Sequence, residues 1–265
     1  MMLRRSLLLT ACAATITPWS MSSNAQISTA VAINRTARFR ALSQRITKLQ
    51  AQMLLGVMAG PARETVASAQ RLMQLGIEDL SKANLTGQAA TQFTAMTRSV
   101  AALNATVTSN VTKDSLGALN TQSNKLLDDA NTLTTTLEES SKQASARIIN
   151  LAGRQRMLSQ RLAKNYFLAA AGLETPLGRT QLGSDQNDFR QALTALNTSP
   201  VSTPSIRNEI QLAQSQWVFF EAALIRKPDQ EVMTTIATAS ERLLEVNNNL
   251  VVFYEAALKD LLGST

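Results

Sequence analysis

The chain has 265 residues, with 26 Lys and Arg against 19 Asp and Glu, no His and one Cys, which gives a formal net charge of +7 at pH 7. Without His there is no Ser-His-Asp triad, imidazole base or histidine-ligated metal, and one Cys forms no internal disulfide. Because 45% of the residues are hydrophobic and Gly and Pro are scarce, the chain can bury a core and its composition favours helices over sheets. We therefore expect a non-enzymatic, helical protein that uses no cofactor and no metal.

Residues 1–25 have the pattern of an export signal. Arg4 and Arg5 precede the apolar run 6–16, and small residues lead up to Ala25, which suits signal peptidase. We predict cleavage after Ala25 and a periplasmic location, while the two arginines leave both the general secretory and the twin-arginine route open. A lipobox that ends at Cys12 is the less favoured alternative, because the apolar run before it is short.

Past the predicted signal we expect no transmembrane segment. The strongest apolar stretch, residues 217–225, is short and contains Glu221, whereas a spanning helix needs about 20 apolar residues. The positive charge is spread along the chain without basic runs, which argues against binding to nucleic acid or to a membrane surface. A net positive charge is nevertheless compatible with the attraction of small anions.

An internal repeat organises the rest of the chain. Residues 33–48 (INRTARFRALSQRITK) align without gaps to residues 149–164 (INLAGRQRMLSQRLAK), and nine of these positions are identical. Downstream, residues 123–127 correspond to residues 240–244 at nearly the same offset. The repeat predicts two copies of one unit, copy one at 26–142 and copy two at 143–265.

Each unit has the sequence pattern of four helices, which predicts an all-α fold of two tandem up-down four-helix bundles. In copy two we predict helices at 141–171, at 177–196, from Pro204 with Thr203 as its N-cap, and at 229–262. In copy one, helix breaks are predicted at Gly60-Pro61, at 84–87 and before Lys113.

The junction between the copies is compatible with two arrangements. No Pro occurs between Leu116 and Ala171, so the last helix of copy one and the first helix of copy two can form one long shared helix. A kink near the polar residues 138–145 would instead place the two bundles side by side. The sequence leaves both arrangements open.

The motif helix has a second face that does not look like a solvent face. At 100° per residue, Leu158 and Leu162 fall opposite Arg156, whereas Gly153 and Ser159 lie near it. Copy one repeats this layout, with small residues, among them Ala37, around Arg40. Small residues let another helix approach closely, so we expect both arginines to be partly desolvated.

A desolvated arginine needs an anionic partner, because an unpaired buried charge is costly. Neither motif contains an acidic residue, and a small oxyanion that accepts bidentate hydrogen bonds is one candidate partner. The candidate binding residues are Arg156, Gly153, Arg40, Ser159 and Ala37. The alternative is an ordinary ion pair with a Glu or Asp of another helix.

The other motif arginines lie nearer the border of the leucine face. For Arg38, Arg45, Arg154 and Arg161 we expect side chains that extend to solvent or form ordinary ion pairs.

Residues 149–164 resemble the signature of the PilJ-type sensor domain, the N-terminal periplasmic region of type IV pilus methyl-accepting chemotaxis transducers. That domain is similar to the sensor of nitrate/nitrite-responsive histidine kinases. The resemblance implies a four-helix bundle that binds a small ligand, nitrate or nitrite, through the arginine before the Met across a two-fold dimer interface. That arginine is Arg156, with Gly153 allowing close approach, and Arg40 is its match. Copy one departs from the pattern, with Ala37 and Ala41 in place of Gly and Met.

Receptors of this family continue into a membrane helix and a signalling module, which this sequence does not show. We therefore expect a binding or sensor protein for a small oxyanion that signals through a separate membrane receptor or kinase. The two copies can form a pseudo-dimer within one chain, or two chains can pair as a homodimer. The alternative function is a ligand-free helical adaptor for a receptor or a type IV pilus component, with a partner helix in place of the anion.

Overall fold

The computed structural model describes residues 28–141 and 144–263, which form eight α-helices and no strand. The helices are α1 (Thr29–Leu54), α2 (Ala59–Ser81), α3 (Gly87–Thr106), α4 (Lys113–Ser141), α5 (Ala144–Ala170), α6 (Pro176–Asn197), α7 (Pro204–Leu224) and α8 (Gln230–Gly263). The predicted all-α fold class is confirmed. The predicted signal, its cleavage site and Cys12 lie outside the described residues. None of the helices in the described ranges combines the length and apolarity needed to cross a membrane.

Most predicted helix boundaries agree with the structure, and one does not. The Thr203 hydroxyl accepts a hydrogen bond from the Ile206 amide at 3.3 Å, which makes Thr203 the N-cap of α7 as predicted. The predicted break at Gly60-Pro61 is wrong, because both residues lie in the first turn of α2. Pro is tolerated there, since the amides of a first helical turn have no partner within the helix. The break falls at residues 55–58 instead, where Gly56 and Met58 have positive φ angles.

The two halves of the described chain repeat the same packing scheme. In the first half α1 packs against α2 and α4, and α3 packs against α4. In the second half α5 packs against α6 and α8, and α7 packs against α8. The most extensive contact in the molecule joins the halves, and it lies between α1 and α5, the two motif helices.

The motif helices lie side by side and run in the same direction. Ala37 of α1 lies beside Gly153 of α5. Further along both helices, the Lys48 Nζ donates to Gln160 Oε1 at 2.8 Å. This arrangement buries the small-residue face of each motif against the other one.

The long shared helix between the copies, one of the two arrangements left open, is wrong. Asn150 of α5 donates a hydrogen bond to the carboxylate of Glu138 of α4. In one continuous helix these residues would lie about 18 Å apart along the axis. The chain therefore reverses between α4 and α5, which is the side-by-side alternative.

One hydrophobic core runs through both halves. It includes a buried side chain from every helix: Ile33, Met73, Leu103, Leu126, Phe167, Phe189, Phe220 and Tyr254. Leu158 and Leu162, predicted on the core face of α5, are fully buried in it. The division into units 26–142 and 143–265 stays a prediction, since the core extends across the boundary.

Candidate functional site

Arg40 of α1 and Arg156 of α5 are both buried, with 2% of each residue exposed. A Cβ built on Gly153 would lie 3.2 Å from Arg156 Nη2, 3.8 Å from Arg40 Nη2 and 3.2 Å from the Ala37 Cβ. The two guanidinium groups therefore approach the same point from opposite helices. The small residues Ala37 and Gly153 leave the room for this approach.

The first hydrogen bonds of this arginine pair are reciprocal. Arg40 Nη2 donates to Asn150 Oδ1 at 2.6 Å, and Arg156 Nη2 donates to Asn34 Oδ1 at 2.6 Å. Asn34 and Asn150 are equivalent positions of the repeat. Each arginine is thus held by the asparagine of the other copy, as expected for a pseudo-two-fold arrangement within one chain.

A second pair of asparagines completes the set. Arg40 Nη1 donates to Asn131 Oδ1 of α4 at 3.1 Å, and Arg156 Nη1 donates to Asn248 Oδ1 of α8 at 3.3 Å. All four acceptors are neutral carboxamide oxygens. They satisfy hydrogen bonds without neutralising the charge of either guanidinium.

Carboxylates are present, but one residue further away. Asn34 Nδ2 donates to Glu255 Oε1 at 2.9 Å, and Asn150 donates to Glu138. Each carboxylate therefore orients an asparagine so that its carboxamide oxygen faces an arginine. Within the described ranges neither arginine forms an ion pair with Asp or Glu. The alternative of an ordinary ion pair is not what these residues show.

The electrostatics of the pair favour a small anion. Burial lowers the pKa of Arg156 to about 9, with Arg38 and Arg40 acting in the same direction and Glu255 opposing them. Burial likewise lowers the pKa of Arg40 to about 10, and Arg154 adds to this while Glu138 opposes it. Both groups remain cationic at neutral pH, and two cations that face one point repel each other.

Hydrogen-bond donors also remain free at this point. A guanidinium carries five N–H donors. The Nε atoms of Arg40 and Arg156 are buried and have no hydrogen-bond partner among the described residues. The site thus offers an excess of donors and of positive charge, which a planar oxyanion can balance.

Ser159, a predicted contact residue, points to its own helix. Its hydroxyl donates to the Arg156 backbone carbonyl at 3.0 Å, as Ser43 does to the Arg40 carbonyl at 2.9 Å. The structure brings Arg40, Arg156, Ala37 and Gly153 together, while Ser159 is buried beside them without reaching a guanidinium. Its part in ligand binding stays a prediction.

Three of the four neighbouring arginines, Arg45, Arg154 and Arg161, form the ordinary ion pairs that were predicted as one of two outcomes, and for Arg38 the outcome stays a prediction. Arg45 pairs with Glu241. Arg154 pairs with Asp188 at 2.5 Å, and Arg161 holds Asp185 through two hydrogen bonds of 2.7 and 2.5 Å. Other arginines of the motif helices therefore have Asp or Glu partners, whereas Arg40 and Arg156 have neutral asparagine partners.

The sequence reasoning missed the residues that hold the arginines. These are Asn34, Asn150, Asn131, Asn248, Glu138 and Glu255. The sequence did contain a signal for them, because the same residue type occurs at equivalent positions of the two copies. The pairs are Asn34 with Asn150, Asn131 with Asn248, and Glu138 with Glu255. Each asparagine lies on a different helix from the arginine that it binds, so the residues around each arginine on its own helix do not reveal it.

Residues 139–243 match the model of the PilJ family, described as type IV pili methyl-accepting chemotaxis transducer N-term. The predicted resemblance is confirmed over this segment, which contains all of α5 and therefore Arg156 and Gly153. The match indicates a sensory role in signal transduction for the segment. No curated protein and no solved structure matches the chain. Residues before 139 lie outside the match, and their equivalence to the matched segment stays a prediction from the internal repeat.

Proposed function

We propose that this protein is an exported sensor that binds a small oxyanion, nitrate or nitrite, between Arg40 and Arg156. One observation carries the proposal: two buried guanidinium groups face one point, and no described carboxylate forms an ion pair with either. Because an uncompensated buried charge is costly, the site is suited to a negative charge from outside the chain.

The chemistry of the site fits a planar anion with two or three oxygens. Each guanidinium can donate two parallel hydrogen bonds to such a group. An anionic oxygen accepts stronger hydrogen bonds than the carboxamide oxygens of Asn34 and Asn150. We therefore expect the ligand to take the place of these oxygens on the Nη2 atoms, with one ligand shared by both copies of one chain.

The signal would pass from the site to α4 and α8. The displaced asparagines are bound to Glu138 on α4 and Glu255 on α8, so their release changes the contacts that hold these helices to the motif helices. A ligand that binds one arrangement better shifts the population toward it. The described residues contain no membrane-crossing helix. We therefore propose that a separate membrane receptor or kinase binds the sensor and responds to this change. The sensor itself would lie in the periplasm.

Titration calorimetry with nitrate and nitrite tests the binding. We expect one anion per chain for the natural protein and loss of the heat in Arg156→Ala and Arg40→Ala. Arg190→Ala is the control, because Arg190 of α6 lies away from the arginine pair in a solvent-exposed ion pair with Glu221. At a ligand concentration 100 times Kd, the stability should rise by about 2.7 kcal/mol. Absence of heat with both anions, or unchanged heat in Arg156→Ala, would refute the oxyanion claim.

The adaptor function remains the second candidate, and an exposed apolar surface favours it. Val218 and Phe219 of α7 are exposed, and Ile225 after its last turn is 80% exposed. Exposed large apolar side chains are common at protein-binding surfaces. This function predicts that Phe219→Ser releases a protein partner captured from the periplasm and that anions leave the thermal stability unchanged.

A further inference from the structure

A second pair of buried cations lies further along the α1–α5 interface. Lys48 and Lys164 are the last residues of the two repeated motifs, and they are 0% and 1% exposed. The repeat makes them equivalent, but their surroundings differ. This difference is independent of any ligand at the arginine pair.

Lys48 has a full set of partners. Its Nζ donates to Gln160 Oε1 at 2.8 Å, to Ser240 Oγ at 3.0 Å and to Glu241 Oε1 at 2.5 Å. Glu241 also pairs with Arg45. Burial raises the pKa of Glu241, but Lys48 and Arg45 outweigh burial and hold this pKa at about 2.

Lys164 lacks this carboxylate, because Asn124 takes the place of Glu241 in copy one. Lys164 Nζ donates to Asn124 Oδ1 at 3.0 Å. The carboxylate that acts on Lys164 is Asp185 of α6, and both of its oxygens accept hydrogen bonds from Arg161. The ammonium form of Lys164 is therefore buried beside a neutral acceptor and a nearby cation.

The other helices that pack against α5 do not supply the missing charge. On α1, Gln44 is the residue equivalent to Gln160 in the repeat. Its NH₂ group donates to Ser43 and Ser123, and its oxygen has no hydrogen-bond partner among the described residues. Lys48, also on α1, is a further cation. On α8 the carboxylate of Glu241 is bound by Lys48 and Arg45, and the buried side chains of α7 are apolar.

We propose that Lys164 is a reversible proton-binding site that makes the packing of α5 against α4 sensitive to pH near neutrality. The amine form needs one hydrogen-bond acceptor fewer and no counter-charge, so it fits beside Asn124. The ammonium form leaves an uncompensated charge in the core and weakens the packing.

The direction of the pH dependence follows from the two states of the lysine. Burial lowers the pKa of Lys164 to about 7, with Arg161 acting in the same direction and Asp185 opposing it, whereas an unfolded lysine has a pKa of about 10.4. Between these values the unfolded chain binds more protons, so stability rises as the pH rises from about 7. Below about 7 both states are protonated and the slope from Lys164 disappears. The chain has no His, which removes the usual source of titration in this range.

The test combines ¹⁵N NMR of the lysine Nζ atoms with thermal unfolding of the whole protein from pH 6 to pH 9. Burial lowers the pKa of Lys48 to about 8, with Glu241 opposing it, so a second Nζ resonance is expected to titrate near pH 8. The resonance that titrates near pH 7 should be missing in Lys164→Met, while the Lys48 resonance should stay. In this variant Tm should rise at pH 6 and change less with pH than in the natural protein. Lys125→Met, which removes an exposed neighbour of Asn124, should keep both the resonance and the pH dependence.

Asn124→Glu is the complementary variant, because it recreates the Lys48–Glu241 pair on the other side. We expect the Nζ midpoint to move upward by about one pH unit or more, because a carboxylate beside the ammonium group stabilises its charged form. If Lys164→Met does not fold, the resonance that moves in Asn124→Glu identifies Lys164. A Lys164 that stays protonated above pH 9 in the natural protein would overturn the proposal, and so would the same pH dependence of Tm in Lys164→Met.

Discussion

At the scale of single residues, the unusual feature of this protein is where its charges lie. Four cationic side chains of the motif helices are buried: Arg40, Lys48, Arg156 and Lys164. Of these, Lys48 alone forms an ion pair among the described residues. The other three are held by asparagine oxygens. Such groups lower stability and persist where function offsets the cost, which is why we place binding at the arginines and proton uptake at Lys164.

Gly153→Ala tests whether the arginine pair depends on close helix approach. The new Cβ would lie 3.2 Å from both the Ala37 Cβ and Arg156 Nη2, so α1 and α5 must separate slightly. We expect a loss of about 1–2 kcal/mol in the free energy of unfolding, measured with urea. Gly183→Ala on α6 is the control, because its Cβ would meet no atom within 4 Å. There the better helix propensity of Ala should raise stability by up to about 1 kcal/mol. A Gly153→Ala protein as stable as the natural one would contradict this account.

At the scale of the helices, local signals such as capping residues determine where most helices begin and end, whereas the packing between helices does not follow from such local signals. α7 begins with a Thr N-cap and Pro at its first position, which are both local signals. α2 begins earlier than the same rules predicted, since Met58 precedes it in a left-handed conformation. A non-glycine residue in this conformation costs free energy that surrounding contacts must supply.

Thr203→Ala should destabilise the protein by about 1 kcal/mol, because it removes the hydrogen bond from the Ile206 amide to the cap. Thr86 is the matched control, since it is an exposed N-cap of α3 without a side-chain cap hydrogen bond. Urea unfolding of Thr203→Ala and Thr86→Ala compares the two. Equal losses in both variants would show that the cap hydrogen bond is not the source of the effect.

At the scale of the whole molecule, the two halves of the described chain share one packed interior. α1 and α5 form the largest contact, and the hydrophobic core continues from one half into the other. If the halves separated, each motif helix would keep its contacts within its own half but lose the cover on the face that meets the other motif helix. The buried cations of each motif would then meet solvent together with the small-residue faces.

We therefore expect a single cooperative unfolding transition. Trp217 is buried in α7 and stacks on Phe189 with 4.2 Å between the ring centroids, so its fluorescence reports the second half. Far-ultraviolet circular dichroism reports all helices. The two signals should give the same urea midpoint. A fluorescence transition that precedes the loss of helicity would show that the second half unfolds on its own.

The sequence predicted the parts of the site that repeat within sixteen residues, and missed those that come from other helices. Arg40 and Arg156 were found because a charge among small residues is visible in the periodicity of one helix. Asn131 and Asn248 reach them from α4 and α8, and their spacing along the chain contains no local signal. The sequence shows that these residues recur in both copies, but only the packing of the helices shows that they contact the arginines.

Composition, helical periodicity and the internal repeat by themselves determined that this chain is all-α and that each of the two repeated motifs carries an arginine on a small-residue face. These are properties of neighbouring residues, which a 3.6-residue period connects directly. The parallel pairing of α1 with α5 and the contacts of Lys48 depend on residues more than one hundred positions apart. The reversal between α4 and α5 and the contact of Lys164 with Asn124 likewise join residues of different helices. Such contacts are selected by the burial and charge compensation of the whole molecule, and only the folded structure shows which of them are made.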